Sequence, residues 1–423
     1  MNSPRPQRAE KELPESTLAE RAFAGRAKGI TGSLIDSSIA LLQRQTRPVI
    51  SFAMGCPAAE TIPSAEIARL AADILRDPGA EALNYGPTEG EASLRAALLG
   101  FLAEGGQKLG EDRLMITAGG TQGLDLVAKL FVDPGDIVIA EEPSYTNGTA
   151  IVTGYQGRIV RCPMDQAGMQ VERLPALIAA NGKPKLVYVI PNSQNPGGTT
   201  LSLPRRRLLL ELARRHDFLL LEDDPYGLLY FDERPPESLF CLDDGDGRVI
   251  AVHTFSKIFS PGLRVGWVAA HPAVIQRMIA AKQGLDTCSN PLGQRIIAGF
   301  LSSGSMQQHI AGLREAYRQR RDAMLVALSR HFGGLQGTRW TKPDGGFFIW
   351  VELPGAVSTD ALFALALEEG VAFIPGSAFL SPDGPRNAMR LCFANSSAAE
   401  IDEGMARLRR AVDRLMTWKE AES

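Results

Sequence analysis

The chain predicts an α/β fold in two parts, a large domain with a mostly parallel sheet between helices and a smaller α+β domain after it. Three observations carry that reading. From Leu114 to Gln283 short aliphatic runs, polar or glycine-rich turns and helical patterns alternate, the rhythm of strands joined by helical crossovers. The aliphatic runs end in turns dense with Asn, Asp, Ser, Gly and Pro, as at the carboxyl rim of an open sheet, where such folds place their chemistry. Past Gly284–Pro291 the rhythm changes to one long helix followed by strands with single helices between them.

Composition sets the outer limits. With 423 residues, 44% of them apolar, the chain is long enough for two or three domains with large cores. A net charge of −3 and a pI near 6.1 supply no basic field for nucleic acid, and no apolar run reaches the roughly 18 residues a membrane crossing needs. Cys56, Cys162, Cys241, Cys288 and Cys392 are scattered with no CxxC pair, so neither a metal site nor a disulfide framework is expected, and a cytoplasmic location is. The opening MNSPRPQRAEKELPES is polar and proline-rich, without the apolar core of a signal peptide. Residues 1–17 are expected to be a disordered tail.

The elements follow in order. Leu18 to Gln45 has helical stretches, and Pro48 to Phe52 reads as a short strand entering Met54-Gly55-Cys56-Pro57; residues 18–60 are read as an arm. The large domain is expected over 61–290. Ile67, Leu70, Ala71, Ile74 and Leu75 fall at helical spacing. The turn-rich loop NYGPTEG, with Tyr85, precedes a second helix from Glu91. Leu114 to Thr117 is a strand running into Ala118-Gly119-Gly120-Thr121-Gln122 and a helix. Glycines there let the backbone approach an anion, and the free amides of a helix start bind phosphate. Ile137 to Ala140 is the next strand and ends at EEPSY, where Tyr145 can stack on a flat ring or simply cap a helix.

Leu186 to Ile190 is a strand that ends in PNSQNPGG, a segment that cannot be helical and exposes Asn195 at the strand tip. After a helix from Pro204 to His216, Phe218 to Leu221 forms a further strand closing with Glu222-Asp223-Asp224-Pro225-Tyr226. An acidic group there either caps a turn or pairs with a protonated ring nitrogen. Val249 to Val252 then delivers TFSKIFSPGLR. Lys257 has the chemistry of a Schiff-base lysine, and Thr254, Ser256 and Arg264 offer hydroxyl and guanidinium donors to a phosphate, although this stretch taken alone equally describes a surface lysine on an ordinary loop. Arg264 to Ala270 reads as a strand and Pro272 to Gln283 as a helix, with Gly284 to Pro291 as the junction to a small domain over 291–423. Within it, Ser305 to Phe332 is one long helix. Strands are expected at Gly345 to Leu353, Val371 to Ile374 and Ala388 to Ala394, with helices at Thr359 to Glu369 and Ser397 to Met416. His253 and the other histidines show no ligand spacing and are read as structural.

The motifs NYGPTEG, ITAGGTQ, EEPSY, PNSQNPGG, EDDPYG, TFSKIFSPGLRVGW, GGFFIWVELP and MRLCFA, in that order, resemble the class I/II aminotransferases of pyridoxal phosphate fold type I. The likeness is to the branch holding 2-aminoadipate and kynurenine aminotransferases and the effector domains of MocR-type regulators. It spans about Ser51 to Ala394. The resemblance implies a seven-stranded large sheet, an arm that completes the small domain, closure of the small domain over substrate, and a homodimer with Tyr85 reaching the neighbouring active site. It implies pyridoxal 5′-phosphate as cofactor. Lys257 then corresponds to the lysine that carries the cofactor and moves the proton, and Asp223 to the partner of the pyridine nitrogen. Tyr226 and Asn195 correspond to the donors on the ring's phenolic oxygen, and Tyr145 to the stacking aromatic. Gly120, Thr121, Gln122, Thr254, Ser256 and Arg264 correspond to the phosphate site. Arg390 matches the arginine that grips the substrate carboxylate, with Asn195, Asn192 and Gly55 beside it.

Departures from the pattern concern the substrate. Gly197 stands where the family usually has threonine, Thr254 where it has serine, and Met54 where relatives commonly have a second glycine. The arginine that some 2-aminoadipate enzymes carry near Asp36 is missing; Arg26, Lys28 and Arg44 are its possible substitutes. The expected activity is transfer of the amino group of an L-amino acid, apolar, aromatic or 2-aminoadipate-like, to a 2-oxo acid such as 2-oxoglutarate by a ping-pong route. A β-lyase or decarboxylase on the same fold is the alternative. A ligand-sensing regulator domain is disfavoured, because about fifty residues precede Ser51, too few for a winged helix and linker.

Overall fold

A computed structural model describes residues 18–30, 32, 47–76 and 79–422. The expected tail at 1–17, most of the predicted helical stretch before Gln45, and Asp36 and Arg44 lie outside them. The described residues form fourteen strands, β1 to β14 in chain order. β1 is Ile50–Ser51, β2 Leu114–Thr117, β3 Ile137–Glu142, β4 Arg158–Asp165, β5 Gly168–Met169, β6 Leu186–Val189 and β7 Leu219–Asp223. β8 is Val249–Thr254, β9 Gly266–Ala269, β10 Arg339–Trp340, β11 Phe348–Glu352, β12 Val371–Ala372, β13 Ile374–Pro375 and β14 Ala388–Cys392.

The large sheet runs β2-β9-β8-β7-β6-β3-β4-β5. Its centre is parallel, β8 on β7, β7 on β6, β6 on β3 and β3 on β4, while β9 lies antiparallel to both β2 and β8. The sheet therefore has one strand more than the seven expected, because the two-residue β5 folds back antiparallel on β4. β4 itself was not legible as a strand. Pro163 lies within it and its middle residues alternate between half-buried and buried, the pattern of a strand more fully covered on one face than the other.

Helices cover both faces. Leu126, Val127, Val252, Val268 and Met278 meet on one side, and Val187, Val189, Leu209, Leu212 and Leu220 on the other. The strands read as continuous aliphatic runs because both faces are buried. All parallel strands end at one rim, which places the loops after Glu142, Val189, Asp223 and Thr254 side by side. Gly266 faces Thr117 on β2 and Thr254 on β8. A Cβ there would sit 2.6 Å from the His253 oxygen and 2.9 Å from the Gly120 nitrogen, so only glycine lets the two site turns approach this closely.

The small domain is an antiparallel sheet β10-β11-β14-β13, backed by the Ser305–Phe332 and Ala398–Glu422 helices, which pack on each other. The expected strand over Val371 to Ile374 is split: β12 pairs with β1 of the arm, and β13 pairs with β14. The chain changes sheets at Phe373. The Pro291–Ser302 helix packs on the Ala92–Glu104 and Ser64–Arg76 helices, which belong to the part expected over 61–290. Three hydrogen bonds latch residues 378–381 of the small domain onto the end of β3 and the turn after it. Ser144 N donates to Phe379 O at 3.0 Å, Thr146 Oγ1 to Ala378 O at 2.6 Å, and Ser381 N to Glu142 Oε1 at 2.9 Å. Among the described residues, no helix is long and apolar enough to cross a membrane.

Candidate active site

The rim loops converge on Lys257. Its Nζ donates to the Gly55 carbonyl at 2.6 Å and lies 5.8 Å from the Phe347 ring centre. Burial, which disfavours the ammonium, brings its pKa down to about 8, with Cys56 and Cys392 opposing the shift and Arg390 and Arg264 adding to it. About a tenth of the amine is thus neutral and nucleophilic at pH 7, far more than for an ordinary lysine.

Behind the lysine, Asp223 ends β7 as a buried carboxyl. It accepts a hydrogen bond from Tyr188 Oη at 2.8 Å. Burial pushes its pKa up to about 7, with the Tyr188 hydrogen bond opposing. Tyr188 was not singled out in the sequence. Its signal was a phenol within the otherwise aliphatic LVYVI run, a group that needs a partner once buried. Tyr226 is buried with its ring edge-on to Phe347 and Phe348, and burial holds its phenol well above the ordinary tyrosine range. Tyr145 is partly buried at the end of the EEPSY turn and packs beside the β6 core.

Arg390 lies mid-strand in β14, opposite Trp350 on one side and Ile374 on the other. Buried, it donates through Nη1 to Asn195 Oδ1 at 3.0 Å and through Nη2 to the Ala53 carbonyl at 2.6 Å. The rings of Phe348 and Phe379 flank it at 4.2 and 5.0 Å. Its Nε has no hydrogen-bond partner among the described residues, which leaves a buried donor for a bound anion. Gly55 fits tightly here, since a Cβ would come 2.7 Å from the Phe348 ring. Asn192 is placed differently from the sequence expectation. Its Nδ2 donates to Asp224 at 2.9 Å and its Oδ1 accepts from buried Arg206 at 2.5 Å, so its amide serves the loop scaffold and not the side of Arg390.

Gly119, with a φ of +79°, turns the chain from β2 into the Gly120–Phe131 helix. The Arg264 guanidinium lies against this turn, 2.7 Å from where a Gly119 Cβ would stand. Thr254 Oγ1 donates to Ser256 Oγ at 2.8 Å and accepts from the Ser256 amide, and Thr254 also lies next to Gly120. Thr121 is exposed at the helix start. The Gln122 side chain is turned inward: Oε1 accepts from Ala118 N and Nε2 donates to Asp286, both at 2.8 Å. It thus caps the turn, leaving backbone amides, two hydroxyls and a guanidinium for an anion. His253 stacks on Trp267 at 4.9 Å, with Nδ1 against the Asp224 carbonyl. Tyr85 is 82% exposed.

A lysine amine, a buried carboxyl, an anion cradle and a second anion site at Arg390 thus lie close together. They fit a flat, phosphate-bearing ring with a basic nitrogen. The family profile described as Aminotransferase class I and II matches residues 47–408. Aromatic-amino-acid aminotransferase 1 of Thermococcus litoralis is 39% identical, over 95% of this chain and 96% of its own. The 2-aminoadipate transaminase of Thermus thermophilus is 38% identical, over 93% and 97%. The structure of Pyrococcus horikoshii kynurenine aminotransferase in complex with PMP superposes with a TM-score of 0.87 at 38% identity, over 94% of this chain and 98% of that one.

Proposed function

We propose, on the premise that the chain belongs to the class I and II aminotransferase family and uses pyridoxal 5′-phosphate, that it moves the amino group of an apolar or aromatic L-amino acid to 2-oxoglutarate. The route is ping-pong, in the cytoplasm, and the working unit is a homodimer. The bound cofactor supplies an electron sink that makes the substrate Cα–H acidic. Lys257 anchors it and, once released, takes and returns the Cα proton through Nζ. Asp223, oriented by Tyr188, holds the ring nitrogen as an ion pair, and Tyr226 and Asn195 donate to the phenolic oxygen. Tyr145 stacks on the ring. The Gly120, Thr121 and Gln122 amides, with Thr254, Ser256 and Arg264, hold the phosphate. Arg390 binds the substrate carboxylate.

One observation carries this reading. The Ala53–Cys56 strap ties Arg390 to the Ala53 carbonyl and Lys257 to the Gly55 carbonyl, two residues apart on one stretch of backbone. An α-amino acid gripped by its carboxylate is thereby presented with its Cα to the lysine. An apolar donor is supported by Phe348 and Phe379 beside Arg390 and by Met54, 42% exposed on the strap. The arm gives little support for an acidic one: the Gly25–Gly29 turn packs by the Thr146–Gly154 helix, where Arg26 faces Tyr155.

The test is a spectral titration of the purified holoenzyme with single amino acids and no oxo acid. Aromatic and branched donors are expected to convert the cofactor to its pyridoxamine form. Release of ammonia and pyruvate without that conversion would replace this reading with β-elimination.

A further inference from the structure

Four successive carbonyls of the strap each receive a side-chain donor. Arg390 Nη2 donates to Ala53 O and Lys257 Nζ to Gly55 O, both at 2.6 Å. Between and beyond them, Asn395 Nδ2 donates to Met54 O at 3.1 Å and to Cys56 O at 2.7 Å. Asn395 follows β14, the strand that carries Arg390, and its amide brackets the one carbonyl that meets the lysine.

We propose that Asn395 is a positioning residue that, by clamping Met54 and Cys56, sets the Gly55 carbonyl against the Lys257 amine and keeps that amine aimed whenever it is not attached to the cofactor. The assignment rests on the reading of Lys257 given above. A lysine carries its amine on a flexible four-carbon stem, and a fixed acceptor for one N–H restricts it while leaving the lone pair directed away from that acceptor. Gly55 cannot brace itself, because its position against the Phe348 ring admits no side chain. Arg390 holds only the Ala53 end. The amide of Asn395 supplies the remaining hold.

The charged and titratable groups facing Lys257 are Asp223, Cys56, Cys392, Arg264 and Arg390; Asn395 adds no charge to them. A carbonyl acceptor favours the ammonium over the amine, so loss of its alignment lowers the lysine's pKa further below about 8.

Two variants test this: Asn395→Ala, and Asn395→Leu, which keeps the volume without the amide. In cofactor-free protein, arylation of Lys257 by fluorodinitrobenzene, followed by mass spectrometry across pH, is expected to show a midpoint lower by about 0.5 to 1 unit than in wild type. In holoenzyme saturated with cofactor, kcat is expected to fall about tenfold while the amino-acid KM changes less than about threefold. Folded variants with the wild-type midpoint and kcat overturn the proposal. So does a large rise in KM at unchanged kcat, which would place Asn395 in substrate binding. Failure of the underlying reading shows separately: borohydride treatment of wild-type holoenzyme would then leave no cofactor mass on the Lys257 peptide.

Discussion

At Lys257, burial and nucleophilicity are one effect. The environment that brings its pKa to about 8 also fixes when it can attack, because only the neutral amine does so. Adding pyridoxal phosphate to cofactor-free protein should give a visible absorbance whose rate of growth rises with pH and levels off above about 8. Lys257→Ala should lose both the absorbance and turnover. At Arg390, truncation to alanine removes a charge-assisted fork worth about 1.5–3 kcal/mol, so amino-acid KM should rise on the order of 10- to 100-fold. Cofactor affinity, titrated in the same variant, should hardly change. The placement of Lys257 after β8, Asp223 at the end of β7 and Arg390 in β14 was legible because each lies within its own motif in the chain. The partner roles of Tyr188 and Asn395 were not, since each meets its partner only through the fold. Asn192 and Gln122 have residue types that suit ligand binding, but their side chains are taken up by Arg206 and Asp286.

At the level of strands and their loops, the rim is held by buried acids as well as by backbone. Glu141 near the end of β3 accepts from Ile190 N at 3.2 Å and Gln194 Nε2 at 3.0 Å, while its Oε1 has no partner among the described residues. Burial raises its pKa to about 8. The folded state thus holds a proton that the unfolded chain releases above about 4.5. Wild-type stability pays about 1.4 kcal/mol per pH unit through this group as pH rises between those values. Glu141→Gln, which keeps an acceptor and adds a donor, should therefore gain stability relative to wild type as pH rises from about 5 to 8, read as a growing difference in Tm. The long helices and central strands were legible from periodicity, and the Pro272–Gln283 and Ser305–Phe332 helices lie where the pattern put them. The failures share a cause. β4 and the broken 371–375 segment are defined by which strand they pair with, and pairing leaves no local trace.

For the whole molecule, the exposed Tyr85 makes a demand on assembly. If it completes the neighbouring subunit's site, Lys257→Ala and Tyr85→Ala subunits refolded together should form a heterodimer with one intact site, and activity should return above that of either variant alone. Separate refolding followed by late mixing without exchange serves as the control. The parallel centre of the large sheet was legible but for β4, whereas the packing of the Pro291–Ser302 helix on the Ala92–Glu104 helix was not, because that helix meets the earlier part of the chain only through the fold.

The latch between the domains has a consequence for how such a protein changes over generations. From the small domain, every atom in it is main chain: Ala378 O, Phe379 O and Ser381 N. Substitutions at these positions can alter what lies beside Arg390, as Phe379 now does, without removing these three hydrogen bonds. A lineage can thus explore new donors one mutation at a time while inheriting the same closed architecture.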